Sequence, residues 1–398
     1  MKAKYAVILY TAIGSLSFIA SADTQFAGSL SFEQRYFPQD AEYESQPSLQ
    51  ASIAFQPEWY GDLSSDLQFS FTPFARLDQH DDERTHVDIR ELKLSHYRDA
   101  FELNVGINKV FWGQTESIHL VDIINQSDLV EAVDGEQKLG QPMIDMHYHS
   151  SLGSFSMYWM PYFRERSFAG ADGRLRGPLI VDHELVRYES SDEQGNIDFA
   201  LRWQASIDDL ELGIAYFDGT ARAPEFSVQT NSAGRFVLAP FYAQITQFSL
   251  DGLYLLGDWL LKFEAISNDS FRGRYSAAVT GFEYNIVSVA DTTWDLGLLA
   301  EYQYDERRYD PNILGQNDLM LGARVMLNDF ASSELLIGII RDLDAQENQQ
   351  IFVEGATRIN ANWRLEINGY FFSAEQESEP LYPIRKDDHI SLGVEYYF

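Results

Sequence analysis

Cysteine is absent from the 398 residues. That excludes a disulfide framework and any Cys-based metal site. No segment offers the roughly 18 uninterrupted apolar residues that a membrane helix needs. Cationic residues are scarce: 29 Lys and Arg stand against 61 Asp and Glu, for a net charge of −32. Nucleic acid, which is bound through basic surfaces, is therefore not an expected partner. A Walker loop, a His-Glu-x-x-His zinc motif and a Gly-rich nucleotide fingerprint are all missing, so no cofactor and no enzymatic activity are expected. What is present is an unusual mixture. Hydrophobic residues make up 45% and aromatics 14% of the chain, yet the mean hydropathy is −0.27. Strands with one apolar and one wet face produce that combination. The excess acid either lines a lumen and favours cations or solvates external loops, and composition does not decide between them.

Apolar residues recur at every second position through most of the chain. Ile197, Phe199, Leu201, Trp203 and Ala205 alternate with Asp198, Ala200, Arg202, Gln204 and Ser206, a period of two that no amphipathic helix shows. Trp294 to Gln303 and Trp363 to Phe372 repeat the pattern over about the nine to eleven residues that a tilted strand needs to cross a bilayer. Eighteen strands are predicted, centred near residues 30, 52, 69, 92, 106, 146, 158, 201, 214, 248, 262, 279, 299, 323, 337, 353, 367 and 393. The alternation slips by one residue near 92, 146 and 248, which leaves 16 strands as the alternative. Every second connection is a tight turn, such as Asp208-Asp209 or Leu256-Gly257-Asp258. The others (37-47, 113-140, 164-195, 219-240, 306-316 and 373-387) are longer and polar. The expected fold is all-β: a single-domain transmembrane antiparallel barrel with short periplasmic turns and long external loops.

Both ends of the chain support export. Lys2 and Lys4, an apolar stretch from Tyr5 to Ile19 and the small residues Ala20-Ser21-Ala22 describe a signal peptide over 1-22, with the barrel domain over 23-398. Residues 391-398 alternate up to a final aromatic, as a strand ending in an interfacial girdle does. They resemble the terminal signal by which outer-membrane barrels are recognised for insertion, with Ser391, Gly393, Tyr396 and Phe398 in the matching places. The other reading is the closing strand of a soluble β-sandwich. Outer-membrane lipid, lipopolysaccharide and the barrel assembly machinery of a Gram-negative bacterium are the expected partners.

A barrel this wide is not filled by its own wall side chains, so selectivity depends on what folds inward. The 113-140 loop carries Ile118, Leu120, Val121, Ile123 and Ile124 beside Glu116, Asp122, Asp128 and Glu131. Apolar residues would be misplaced on a fully solvated loop, so it is expected to pack on the inner wall and constrict the pore, with those four carboxylates near the path. A cap on the barrel rim is the alternative. Arg35, Arg202, Lys262, Arg324, Arg358 and Arg364 fall on wet faces. They either form a basic ladder or, as cross-strand charges usually do, pair with neighbours such as Glu264, Glu354 and Glu366. Arg164, Arg166, Arg174 and Arg176 could add a positive patch at the mouth. Asp145, His147 and His149 share one face, but i, i+2 side chains on a strand lie roughly 7 Å apart, a poor bite for a metal. His149 and Ser150 are adjacent and point to opposite faces, unsuited to a nucleophile and its base.

Arg90-Glu91, then Gly106 to Gly113 ending in Trp112-Gly113, then Asp122 to Asp128 resemble a family of porin-like outer-membrane proteins of proteobacteria with no settled function. The matching positions are Arg90, Glu91, Gly106, Trp112, Gly113, Asp122, Asn125 and Asp128, within about residues 87 to 160. Ile107 stands where that family usually has a basic residue, and Gln126 where it has Pro. The resemblance implies a barrel with an inward segment, and some relatives are linked to movement of hydrophobic compounds. The expected function is a porin-like channel for passive diffusion of small solutes. The alternatives are a conduit for hydrophobic compounds and a plugged barrel with a structural or surface enzymatic role.

Overall fold

The computed structural model describes residues 23–310 and 313–398, so the expected signal peptide lies outside the described residues. The wall strands are β1 (Asp23–Tyr36), β2 (Leu49–Ser64), β3 (Leu67–Asp78), β4 (His86–Arg98), β5 (Phe101–Asn108), β6 (Gln141–Ser150) and β7 (Gly153–Met160). After the two-residue β8 (Arg187–Tyr188) come β9 (Asp198–Ile207) and β10 (Leu210–Thr220). Two short loop strands follow, β11 (Glu225–Thr230) and β12 (Phe236–Tyr242). The wall resumes with β13 (Gln244–Leu256), β14 (Trp259–Ser270), β15 (Gly273–Ile286), β16 (Asp295–Asp305), β17 (Asn317–Met326), β18 (Glu334–Asp342), β19 (Gln349–Arg358), β20 (Trp363–Ser373) and β21 (His389–Tyr397). Every wall strand pairs antiparallel with its chain neighbours, and β21 returns to β1 from Ser29↔Tyr397 to Tyr36↔Ile390. The result is a closed 18-stranded barrel without a free edge. All eighteen predicted centres fall within wall strands.

Alternation sorts the side chains. Leu30, Phe32, Ile53, Leu298, Ile337, Ile351 and Ile367 are exposed on the outer face, while Gln50, Ser52, Asp251, Glu264, Glu301 and Gln303 are buried inside. The slip near residue 92 is a bulge: Thr72 pairs with Glu91 and Pro73 with Ile89, leaving Arg90 as the extra residue. A bulge of this kind bends the strand and re-aims a side chain, here Arg90 into the lumen. Asp99, Asp208 and Gly257 take left-handed φ at the tight turns, a conformation suited to Asp and Gly.

Three connections depart from the expected alternation of short and long, one of them residues 327–333 between β17 and β18 at the turn end. The β14–β15 link at the loop end is only Phe271-Arg272, whereas residues 287–294 at the turn end form a longer connection. Arg272 pairs with Glu225 of the β11–β12 hairpin (2.5 Å), so the hairpin covers the ground a longer link would occupy. β11, β12 and β8 form a separate three-stranded sheet over the mouth that the sequence did not announce.

Candidate functional site

The segment between β5 and β6 enters the barrel and crosses it. Asn125 joins its two ends, accepting from the Val110 amide (2.8 Å) and donating to the Asn108 and Leu139 carbonyls (2.9 Å each). From β5 the chain reaches the far wall in the order β5-β6-β7-β9-β10-β13-β14-β15-β16. There Glu264 of β14 accepts from the Gln114 amide (2.7 Å), the Thr115 amide (3.1 Å) and hydroxyl (2.8 Å), and the Val121 amide (3.2 Å). Glu301 of β16 accepts from the Glu116 and Ser117 amides at 2.8 Å. A buried carboxylate with several N–H donors satisfies backbone groups that have no partner within the loop itself.

The return path runs to the near wall. Asp128 bonds Arg90 (2.7 Å) and Ser167 (2.6 Å), and the Val130 carbonyl accepts from Arg84 (2.8 Å). Glu131 is held by Arg76 and offers its carbonyl to Arg35 (2.7 Å). Arg84, only 2% exposed, also pairs with Glu33 (2.9 Å) and Asp78 (2.8 Å). His86, Asp128 and Glu131 are grouped closely enough to suggest a metal site, but Arg90 and Arg76 already occupy the two carboxylates. The group is an ion-pair network.

Apolar packing fixes the rest of the crossing. Trp112, Val121 and Ile124 are buried against Met143, Met160, Phe217 and Ile245 of the inner wall. Each such side chain contributes about 1.5–3 kcal/mol relative to exposure. Trp112 also meets Tyr158 edge-on at 5.5 Å and lies under the Arg202 guanidinium at 4.9 Å. One half of the lumen is thus filled. The other half retains two cavities, of about 410 and 270 Å³, which share Arg364, Glu366 and Asn368. Glu131, Arg76 and Tyr370 line the larger, and Glu116, Arg324 and Glu354 the smaller.

Of the expected constriction residues, Glu116 and Glu131 line these cavities, whereas Asp122 and Asp128 do not. Asp122 is buried in the loop, where it accepts from the Trp112 amide (3.2 Å) and pairs with Lys138 (2.9 Å). Burial nonetheless pushes its pKa up, against the lowering effect of Lys138. Asp128 also suffers burial, but His86, Arg90 and Ser167 hold it well below the usual carboxylate range. Burial of His119 favours the neutral ring, yet hydrogen bonding to Glu136 (2.7 Å) and the Glu264 charge at 3.8 Å override it and push the pKa up to about 10.

The expected lumen cations other than Arg358, which lies over the Tyr397 ring at 5.2 Å, are paired with carboxylates, and several partners differ from expectation. Arg202 binds Asp251 (2.7 Å), Lys262 lies 3.8 Å from Glu283, Arg324 binds Glu116 (2.6 Å) and Arg364 binds Glu366 (3.0 Å). Glu264 serves the loop instead of a neighbouring cation, and Glu354 accepts from the Tyr370 hydroxyl (2.7 Å). Of the four arginines of the 164-195 loop, two are paired with carboxylates and two donate to neutral groups. Arg164 pairs with Asp88 (2.8 Å), Arg174 with Asp387 (2.7 Å), Arg166 donates to Gln126 (3.0 Å) and Arg176 to the Ala171 carbonyl (2.7 Å). Asp145, His147 and His149 join a polar ladder: His147 contacts Asp145 (2.9 Å) and Ser156 (2.8 Å), and His149 contacts Ser154 (2.9 Å).

The motif residues have structural positions here. A Cβ on Gly106 would lie 2.0 Å from the Leu92 carbonyl oxygen, and one on Gly113 2.7 Å from Nδ1 of His119, so both permit close approach of neighbouring groups. Glu91 pairs with Lys93 (3.2 Å). Gln126, where the resembled family has Pro, takes part in the loop-to-loop contact through Arg166. At the chain's end, Tyr396 and Phe398 join an aromatic cluster with Trp363, Phe26 and Phe55, and Gly393 lines the larger cavity.

No family model matches the chain, and no curated protein matches it. Among solved structures, it is similar to OmpT, an outer membrane protein of Vibrio cholerae, in the trimer form: 11% identity and a TM-score of 0.49 over 95% of this chain and 99% of that one. A Rh. blastica porin mutant gives 11% identity and a TM-score of 0.47 over 94% and 100%. At this level of likeness neither family nor activity is assigned, and the resemblance of residues 87-160 to a porin-like family rests on its motif residues alone.

Proposed function

We propose that this barrel is a narrow, porin-like channel of the Gram-negative outer membrane, through which small polar solutes diffuse passively. The apolar outer face and its aromatic clusters support the membrane reading. On that reading outer-membrane lipid and lipopolysaccharide surround the wall, the barrel assembly machinery inserts it, and the Gly393, Tyr396 and Phe398 pattern belongs to the insertion signal. The observation that carries the channel reading is the placement of the lumenal loop. It is fastened to Glu264 and Glu301 on one side and to Arg35, Arg76 and Arg84 on the other, and it leaves polar space beside β17–β21 and β1–β3. A solute in that space meets Glu116, Arg324, Arg364 and Glu366, opposite charges whose field is strengthened by low-dielectric walls. No activation of a nucleophile is required of any of them, and the role is not enzymatic. Planar-bilayer recording of the purified protein tests the proposal: small, reproducible conductance steps are expected. Silence across a wide voltage range would instead favour a plugged barrel.

A further inference from the structure

The wall is interrupted between β2 and β6. The β2–β3 register lapses between Phe55↔Ala75 and Trp59↔Phe71, and Pro57 and Pro73, which cannot donate to a ladder, lie in the lapse. Next to it is the Arg90 bulge. β4 pairs with β5 only from Leu92↔Ile107 onward, so His86 to Glu91 have no β5 partner. An outward cavity of about 560 Å³ opens at this place, lined by Phe55, Pro57, Pro73, Val87, Ile89 and Pro142. Its volume falls within the ~300–1,000 Å³ of small-ligand sites. Arg164 and Tyr162 stand among the lining residues, and Arg164 is tied to Asp88 (2.8 Å) and to the Gly140 carbonyl (2.7 Å). Phe74 lines both this cavity and the larger lumenal one, and its ring is held beneath Arg90 at 4.4 Å.

From these observations we infer that the interrupted wall is a lateral binding site for a single-chain amphiphile of the fatty-acid class, with Phe74 as the partition between site and lumen. The cavity is apolar and opens on the face that the proposed membrane location puts in contact with hydrocarbon, so the occupant's chain comes from the lipid phase. Arg164, whose Nη1 serves Asp88 and the Gly140 carbonyl, keeps its Nε and Nη2 donors for a carboxylate head, whereas the Tyr162 hydroxyl is committed to Gln194 (2.8 Å). The alkyl chain enters the site, because its lining away from Asp88 and Arg164 is mainly apolar. This inference rests on the membrane location, and does not depend on whether the lumen conducts.

The test uses the full barrel in lipid nanodiscs with dodecanoic acid carrying a terminal diazirine, and maps photo-adducts by mass spectrometry. Adducts are expected on residues 73–89 and 140–142, reduced several-fold by excess dodecanoic acid and by Ala75→Trp, which fills the cavity. Val87→Trp serves the same purpose should Ala75→Trp fail to show heat-modifiable gel mobility. Phe74→Ala should shift part of the labelling to Gln56 and Tyr370 on the lumenal side. Adducts spread evenly over outward strands such as 296–302 and 335–339, with no competition and no effect of either Trp, would overturn the site. Competed labelling that Phe74→Ala leaves unmoved would remove Phe74 as the partition. A barrel silent in bilayers but labelled and competed as expected would retain the lateral site and discard the channel.

Discussion

Arg76 grips Glu131 through three hydrogen bonds of 2.6, 2.8 and 2.9 Å, one on the barrel wall and the other on the loop that crosses the lumen. Both side chains are more than nine-tenths buried, so the contact is a desolvated ion pair. Its geometry is that of a guanidinium fork on a carboxylate, which offsets desolvation only while both partners are present.

Removing one partner should therefore cost more than removing both. Glu131→Ala is expected to destabilise the barrel, by less than the roughly 3–5 kcal/mol of an unpaired buried charge because Arg76 keeps Glu33 at 3.6 Å, and to raise conductance as the return arm of the loop loosens. The double change Arg76→Met with Glu131→Leu should be close to neutral in a denaturant titration. Equal losses in the single and double variants would mean that the pair does not couple loop to wall.

The strands were legible because alternation is a local signal: each segment shows its two faces within about ten residues. The loop's inward path was legible for a related reason, since Val121, Ile123 and Ile124 have no place in water. Its anchors were not. Nothing near Glu264 or Glu301 in sequence distinguishes a carboxylate that accepts from a distant loop amide from one that pairs with the adjacent strand. Asp122 and Asp128 were misplaced on the path for the same reason: Lys138 is brought to Asp122 by the loop's fold, and Arg90 to Asp128 by the β4 bulge. The β8–β11–β12 sheet joins two long loops, and its pairing is equally non-local.

Outward and inward faces can be tested by charge. Arg at Leu298 or Leu365, both on the apolar rows, should destabilise by roughly 2–4 kcal/mol. The same substitution at Asn368, which lines both lumenal cavities, should leave stability nearly unchanged and shift selectivity toward anions. Folding titrations in vesicles distinguish the two, and similar tolerance at all three positions would refute the facing.

The aromatic cluster at the turn end depends on a missing side chain. A Cβ on Gly28 would stand 2.7 Å from the Gln56 carbonyl oxygen and 2.8 Å from Cζ of Phe398, whose amide donates to the Gly28 carbonyl (3.1 Å). Gly28→Val should cost about 1–3 kcal/mol through overpacking. Phe398→Ala should lower the yield of heat-modifiable barrel, as it removes the ring shared by Phe26 (5.4 Å) and Phe55 (6.1 Å). Wild-type yield and unfolding midpoint in both variants would sink this account.

His119 makes the loop's attachment dependent on pH. Its pKa in the folded protein is raised above the ordinary 6.5 to about 10, so the charged ring stabilises the fold. That contribution is present in full below about 6.5 and is lost as pH rises through about 10. Thermal unfolding in the wild type should fall over this window by more than in His119→Asn. Parallel pH profiles would show that His119 does not hold Glu136 and Glu264 together.

Glu116 and Asp122 separate selectivity from support. Glu116 lines the smaller cavity and neutralises Arg324 at 2.6 Å, with Lys262 4.0 Å away. Glu116→Gln would leave Arg324 facing the path while Lys262 keeps Glu283 (3.8 Å), so reversal potentials in a salt gradient should move toward anion preference while conductance changes little. Asp122 lies inside the loop, paired with Lys138 and bonded to the Trp112 amide. Asp122→Asn should leave selectivity where it was and instead lower the unfolding midpoint, since a buried ion pair loses one charge. The contrast is informative because both residues are carboxylates of the same loop, six positions apart. If Asp122→Asn shifts the reversal potential as much as Glu116→Gln does, the path runs through the packed half of the lumen, and the assignment of solute flow to the β17–β21 side is wrong.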